Sequence, residues 1–421
     1  MRIVPFLLAT SSLAFAGAAL ADNNEAWLDQ SGSGNSALIR QTGADNDAGS
    51  TGRNIRQVDL RNQLTILQSG NGNAAGLGTN PDAADAGIHQ ISNRDGAYGN
   101  IIDITQSSDN NTIGAVGQTT TGTNTTLQRN TVAIEQAGEG GNTVGSVTQW
   151  RQSSRGNMLD VMQTGSGNTL ARVIQASPTT GGGNNRNEAM VNMSGRNNGN
   201  AGALSGAAAM AGATSSTIIQ GDFGIRAARS TATLNISGDR NQFGVTQYGD
   251  SNTVGRLTIT GDDNEVGTYQ NGNGNTITAA TVAGAFNNIG AAQLGDLNLA
   301  ALDVRGDGNG VLSLQQGLSN EVSVMITGND NGWNQSLTGV AGLVAGAHPS
   351  GIVQQIGDLN LASLTVTGNA NAFALVSTGD GNVITGVQTG DANHVAVVQG
   401  GNGNTAHFSQ IGNGNNAGIA Q

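Results

Sequence analysis

Along the second half of the chain, apolar and polar residues alternate in short runs, and each run stops at a glycine. Leu257-Thr-Ile-Thr-Gly-Asp-Asp-Asn264 shows the unit, with two aliphatic side chains two apart followed by Gly-x-x-Asn. Alternation with period two places the aliphatic residues on one face of a β-strand and the threonines on the other. Glycine adopts positive φ without steric cost, and asparagine tolerates it best among the other residues, so Gly-x-x-Asn reads as a turn. A strand of about five residues and a turn of about six make a unit of eleven.

The unit recurs in register. With the residue two before each turn glycine as index, positions fall at Ile236, Gln247, Ile259, Gln270, Val282, Gln293, Val304, Gln315 and Ile326. After an interruption they resume at Gln355, Val366, Ser377, Gln388, Gln399 and Gln410, and Gln421 closes the series. Between Ile236 and Ile326, aliphatic and glutamine index residues alternate, so the full period is about 22–23 residues made of two arcs. The first half is less regular. Gln30 and Gln41 keep the step, an irregular patch from Asp47 to Asn54 follows, Gln57 and Gln68 resume it, Gln90 matches weakly, and Gln106, Gln118, Gln136 and Gln149 recur unevenly before Gln152 and Gln163 restore it.

These shifts divide the chain into a secretion signal over 1–21, irregular repeats over 22–175, a Gly/Ala-rich insert over 176–232 and regular repeats over 233–421. The insert holds Pro178, a triple glycine at 181–183 and one repeat, Met193-Ser-Gly-Arg-Asn-Asn198. Its small-residue run from Ala201 to Ala213 reads either as a flexible segment or as a short helix, which alanine favours and the interspersed glycines oppose. A second insertion, at about 331–350, carries Trp333 and Pro349 and reads as a loop at one turn.

A regular pitch without intervening helices predicts an all-β fold. The expected architecture is a parallel β-solenoid with two arcs per coil, its two sheets facing across a narrow core. Equivalent residues then stack about 4.8 Å apart, and inward amides can pair from coil to coil in a ladder. An inward amide left unsatisfied costs of order 1–3 kcal/mol, whereas in a ladder each member is paired. The residues expected in such ladders begin with Gln30, Asn35, Gln41, Gln68, Asn73, Gln163 and Asn168. They continue through Gln247, Asn252, Gln270, Asn275, Gln293, Asn298, Gln315 and Asn320. The last are Gln355, Asn360, Gln388, Asn393, Gln399, Asn404, Gln410, Asn415 and Gln421. The rival is a meandering antiparallel barrel, which would turn at alternate ends and would not require the same side chain on every second arc.

Composition supports a fold without a bulky core. There are 66 glycines, 4 prolines and only 3% aromatic residues, and hydrophobic residues reach 36%. An ordinary globular domain uses about 45–50% apolar residues including glycine. Charged residues are 11%, too few for a disordered chain, and no Gly-X-Y register exists. A net charge of −12 argues against a nucleic-acid partner. With no cysteine, disulfides and thiolate metal sites are excluded. Met1-Arg2, the apolar stretch Val4 to Ala18 and Ala19-Leu20-Ala21 before Asp22 read as an export signal, and no other stretch is long and apolar enough to span a membrane.

Candidate chemistry is sparse. His89, His348, His394 and His407 share no metal-ligand spacing and read as surface or turn histidines. No nucleophile elbow or phosphate loop occurs, so neither enzymatic activity nor a cofactor is expected. Asp239, Asp250, Asp262, Asp296, Asp307, Asp358, Asp380 and Asp391 all follow a turn glycine. They could bind calcium, or they could fit the turn and act as charged gatekeepers that repel neighbouring chains. Thr258-Ile-Thr260 and Thr365-Val-Thr367 match the Thr-x-Thr arrays of ice-binding solenoids, but Asp-Val-Arg and Met-Ile-Thr at Val304 and Ile326 break the array.

The cleanest copies of the repeat carry a family resemblance. Gln399 to Gln421 reads Gln-x-Gly-x-Gly-Asn-x-Ala-x-x-x-Gln twice, sharing Gln410, and the same pattern runs from Gln30 through Gly32, Gly34, Asn35 and Ala37 to Gln41. This resembles the curlin repeat of curli fibre subunits. The resemblance implies a secreted structural protein that assembles with itself into extracellular amyloid fibres of a biofilm matrix. It also implies export through an outer-membrane channel and nucleation by a curli-type partner at the cell surface. The other readings are a monomeric cell-surface solenoid adhesin and a calcium- or ice-binding solenoid. The repeat at Gln410 to Gln421, read without a following cap, is expected to template the next chain.

Overall fold

A computed structural model describes residues 23–78, 86–92, 99–120, 129–151, 156–177, 186–200, 202–222 and 227–421. The expected signal segment, Pro81, Gln152, Pro178, the triple glycine and Ala201 lie outside them. The fold is nearly all β, a parallel β-solenoid as the repeat predicts. Every pairing between strands is parallel among the described residues, and this removes the antiparallel barrel.

The chain forms two compact units, Met1–Glu188 with Asp222–Ala228, and Ala189–Gly221 with Arg229–Gln421. In the first unit, one sheet stacks Ser36–Thr42, Gln63–Ser69, Ile101–Gln106, Thr131–Gly140 and Met158–Ser166 in that order. The facing sheet stacks Leu28–Gln30, Asn54–Asp59, Ala86–Ser92, Thr112–Thr120, Thr143–Arg151 and Thr169–Ser177. Consecutive strands fall alternately in the two sheets, so each pair of arcs closes one coil.

The second unit follows the same plan with fewer irregularities. One sheet runs from Thr231–Ser237 through Thr253–Thr260, Thr276–Ala283, Leu299–Arg305 and Glu321–Thr327 to Leu361–Thr367, Val383–Thr389 and Thr405–Ile411. The other begins Thr217–Gln220, Gln242–Asp250, Glu265–Asn271, Asn288–Leu294 and Gly310–Gln316. It ends Ile352–Ile356, Ala372–Thr378, His394–Gly400 and Asn416–Ala420. Many strands are seven residues long and their turns four, as in Leu299–Arg305 followed by Gly306 to Asn309. The strand therefore takes more of the eleven-residue unit than the alternation alone predicts, because the asparagine after the turn glycine already lies in the core.

Register places like on like. Gly267 lies against Gly290 and Gln270 against Gln293, and Leu302 follows Ala280 and precedes Val324. The core is a set of columns, each one side chain wide. Phe243 and Phe373 are fully buried among aliphatic residues and amides. Gly386 leaves the space that the ring of Phe408 fills from the next coil.

Both insertions contain helix. Gly206–Met210 forms α1, which settles the Ala/Gly run as a short helix, and Gly339–Ala345 forms α2 in the second insertion. Both lie on the outer face of the sheet that contains Asn288–Leu294, outside the ladders. Within 176–232 the chain also forms strands Glu188–Arg196 and Thr217–Gln220.

Candidate functional site: stacked amide ladders

The glutamines form continuous ladders. In the first unit, Gln30, Gln57, Gln90, Gln118, Gln149 and Gln175 each donate Nε2–H to the Oε1 of the next, at 2.5–3.0 Å. On the facing sheet Gln41, Gln68, Gln106, Gln136 and Gln163 do the same at 2.8–2.9 Å. In the second unit the ladder runs Gln220, Gln247, Gln270, Gln293, Gln315 and Gln355 at 2.8–3.2 Å. Ser377 takes the next place, and Gln399 then donates to Gln421 at 2.9 Å.

Most ladder glutamines also donate across the core. Gln270 Nε2 reaches the carbonyl of Thr253 at 3.1 Å, and Gln293 reaches that of Thr276 at 3.1 Å. A single amide therefore joins its coil to the next and its own sheet to the opposite one. Both Nε2 protons and Oε1 are satisfied, so full burial of Gln270 and Gln293 leaves no unpaired polar group.

The facing row of the second unit has a different solution. Ile236, Ile259, Val282, Val304, Ile326 and Val366 stack there before Gln388 and Gln410 restore the amides at 2.9 Å. The switch leaves a defect. Val366 has no donor to offer, and Gln388 Oε1 is buried without a partner.

Asparagines run a second set of ladders at the turns, with the opposite donor direction. Asn264 and Asn287 each donate backbone N–H to the Oδ1 of the asparagine before it, both at 3.0 Å. The Nδ2 of Asn264 also donates to the carbonyl of Gly284 in the next coil at 2.7 Å. The parallel row joins Asn252, Asn275, Asn298, Asn320 and Asn360, and continues through Asn382 to Asn404. Asn393 and Asn415 extend the row of Asn264. In the first unit Asn35 accepts from Asn62, and Asn73 and Asn168 accept or donate in the same manner.

The turn glycines make this approach possible. Gly284 has φ +126°, and a Cβ on it would lie 2.1 Å from the carbonyl oxygen of Gly306. Gly32, with φ +97°, faces the carbonyl of Asp59 equally closely at 2.0 Å. Gly34 also has positive φ, and Ala37 points into the core over Leu64.

Several residues with this role escape an eleven-residue count. Gln175 and Gln220 join ladders although an extra strand residue displaces the first and the insertion with α1 precedes the second. The signal that could have found them is the inward parity of each strand, which survives a bulge when the spacing does not. The turn aspartates also do more than fit the turn. Asp262, Asp307 and Asp391 accept backbone N–H groups of the preceding coil, from Asp239, Ala285 and Asn369, each at 2.8 Å. His89, expected at the surface, is buried in the strand Ala86–Ser92.

Other chemistry is limited. Among the described residues, no group of three His, Cys, Asp or Glu side chains could hold a metal ion. No described helix is long and apolar enough to cross a membrane. The outward threonines of Thr258 and Thr281 are followed in the same column by Asp303 and Met325, so no flat threonine array forms.

Parallel arcs joined by buried amide ladders define a β-solenoid whose coils stack on one another within the chain. The family model described as the curlin associated repeat matches residues 21–49 and 390–421. Both stretches are thus similar to the curlin associated repeat, in keeping with the resemblance read from their sequence. No curated protein matches the chain.

Proposed function

We propose that this protein is a secreted structural subunit whose copies stack coil upon coil into extracellular, amyloid-like fibres that build a biofilm matrix and attach to surfaces. The observation that supports it most is the self-complementarity of each coil. A coil offers glutamine Nε2 donors on one side and Oε1 acceptors on the other, as Gln293 does between Gln270 and Gln315. Any coil of this kind is therefore a template for another, whether the next belongs to the same chain or to a second copy. The family match supports the same reading, including export by an outer-membrane channel and nucleation by a curli-type partner.

The test uses purified protein lacking residues 1–21, at neutral pH and micromolar concentration. Expected are fibres that bind an amyloid dye and diffract at about 4.7 Å along their axis. A chain that stays monomeric by light scattering, with neither signal, would be a free surface solenoid and not a fibre subunit.

A further inference from the structure

The two helices dock on the solenoid in the same way, and comparing them exposes a difference. In α1, Asn288 Oδ1 accepts the N–H of Ala208 at 2.8 Å; in α2, Asn416 Oδ1 accepts the N–H of Ala341 at 2.8 Å. A Cβ on Gly290 would meet the carbonyl oxygen of Ala207, and one on Gly418 that of Val340. Residue for residue, Ala207 of α1 therefore corresponds to Val340 of α2.

The surroundings of this pair differ. Ala207 is 0% exposed because Leu312, from the coil beyond Gly290, closes over it, and Leu312 itself is 2% exposed. Val340 is 52% exposed, and Asn416–Ala420, the strand of Gly418 beneath it, pairs only with His394–Gly400 among the described residues. Thus α1 is a strap that reaches over a coil beyond its helix cap, and α2 is the same strap with that place open.

The winding specifies what belongs there. Arcs alternate between sheets, so the arc after Asn416–Ala420 stacks on Thr405–Ile411, and the one after that stacks on Asn416–Ala420 beneath α2. In a second copy entering at this edge, Leu28–Gln30 is the first of these arcs and Ser36–Thr42 the second. Its residue at the Leu312 position, three after the turn asparagine and three before the glutamine, is Leu38, which is 37% exposed. Asn35-Ser-Ala-Leu38-Ile-Arg-Gln41 and Asn309-Gly-Val-Leu312-Ser-Leu-Gln315 share that frame. The ladders agree with it, for Gln410 and Gln421 present Nε2 donors where Gln30 and Gln41 present Oε1 acceptors.

We propose that α2 is an intermolecular strap, which closes over Leu38 of a second copy of this chain and clamps the junction between stacked copies through Val340. This rests on the assembly reading above. It assigns to the insertion a role that neither the repeat nor the ladders require.

The chain has no cysteine, which makes the junction directly testable. One preparation carries Val340→Cys and another Leu38→Cys; the two are mixed, assembled and treated with a short bis-maleimide. Covalent dimers containing one copy of each variant are expected, and neither preparation assembled alone should give them in comparable yield. Fibres that form without these dimers overturn the strap and leave the fibre reading standing. Dimers obtained instead with Trp27→Cys, the matching position of the first arc, also overturn it, because the copies would then meet without alternating sheets. Failure of the unaltered chain to assemble overturns both readings. As a second variant, Val340→Asp changes an exposed side chain and should leave the monomer's circular dichroism and melting unchanged. It is expected to slow growth on preformed seeds by about tenfold, equivalent to about 1.4 kcal/mol at the junction. Unchanged growth overturns the strap.

Discussion

At the scale of single residues, the amide inside a column is worth more than its side chain suggests. Replacing Gln270 with leucine would strand two partners, since Gln247 Nε2 loses an acceptor and Gln293 Oε1 loses its donor. Gln270→Leu is therefore expected to lower stability by about 1–3 kcal/mol despite its greater hydrophobicity, read as a lower urea midpoint by circular dichroism. An unchanged or higher midpoint would show that the ladder is dispensable. Backbone approach sets a second limit. Gly284→Ala combines positive φ with a Cβ 2.1 Å from the carbonyl oxygen of Gly306. Neither backbone can move without breaking the ladder beside it. A loss of at least about 2 kcal/mol is expected, more than glycine-to-alanine replacement costs in a permissive turn.

At the scale of elements, strands and helices are held by different chemistry. Strands stack through repeated amides, whereas each helix is pinned by side chains at the starts of two neighbouring arcs. For α1 these are Glu265, which accepts the N–H of Ser205, and Asn288. For α2 they are His394, whose Nδ1 accepts the N–H of Thr338 at 3.2 Å, and Asn416. Burial holds the pKa of His394 below its ordinary value, so the docked helix favours the neutral ring. A histidine lowered in this way contributes its full stability above the free value of about 6.5, and that contribution is lost as pH falls below it. Protonation also turns the accepting Nδ1 into a donor. Docking of α2 is thus expected to loosen as pH falls below about 6.5. Hydrogen exchange should become faster for the amides of 341–345 than for those of α1 once corrected for intrinsic rates. Equal protection of both helices at pH 5 would count against this account.

At the scale of the whole molecule, charge and open amides act in opposite directions on assembly. The net charge of −12 repels approaching copies, and ions screen that repulsion over about 10 Å at 0.1 M salt. Raising sodium chloride from about 10 to about 150 mM is expected to shorten the lag before dye-positive fibres appear. A longer lag with salt would mean that ion pairs attract the copies. Joint replacement of Gln399, Gln410 and Gln421 by alanine is expected to slow seeded growth much more than it lowers monomer stability, because among the described residues Gln410 and Gln421 each pair with a single ladder glutamine. A fall in stability as large as that of Gln270→Leu, with normal growth, would place these glutamines inside the fold and not at a growing edge.

Much of this arrangement follows from the chain alone. Period-two alternation with Gly-x-x-Asn every eleven residues dictates short strands and tight turns, because only a handful of residue types tolerate positive φ. The alternation of Ile259 with Gln270 and Val282 with Gln293 dictates two arcs per coil, since like residues stack only in a parallel register. Tertiary structure decided what local pattern cannot carry. It sets the direction of the ladders, with glutamines donating forward and asparagines backward, through the backbone geometry of stacked coils. Gln175 and Gln220 join because inward parity outlasts broken spacing. The turn aspartates become acceptors for the preceding coil only once that coil lies beside them. The insertions, unreadable as repeats, find their roles through Asn288 and Asn416, residues far away in sequence whose outward side chains have no visible purpose until a helix rests on them.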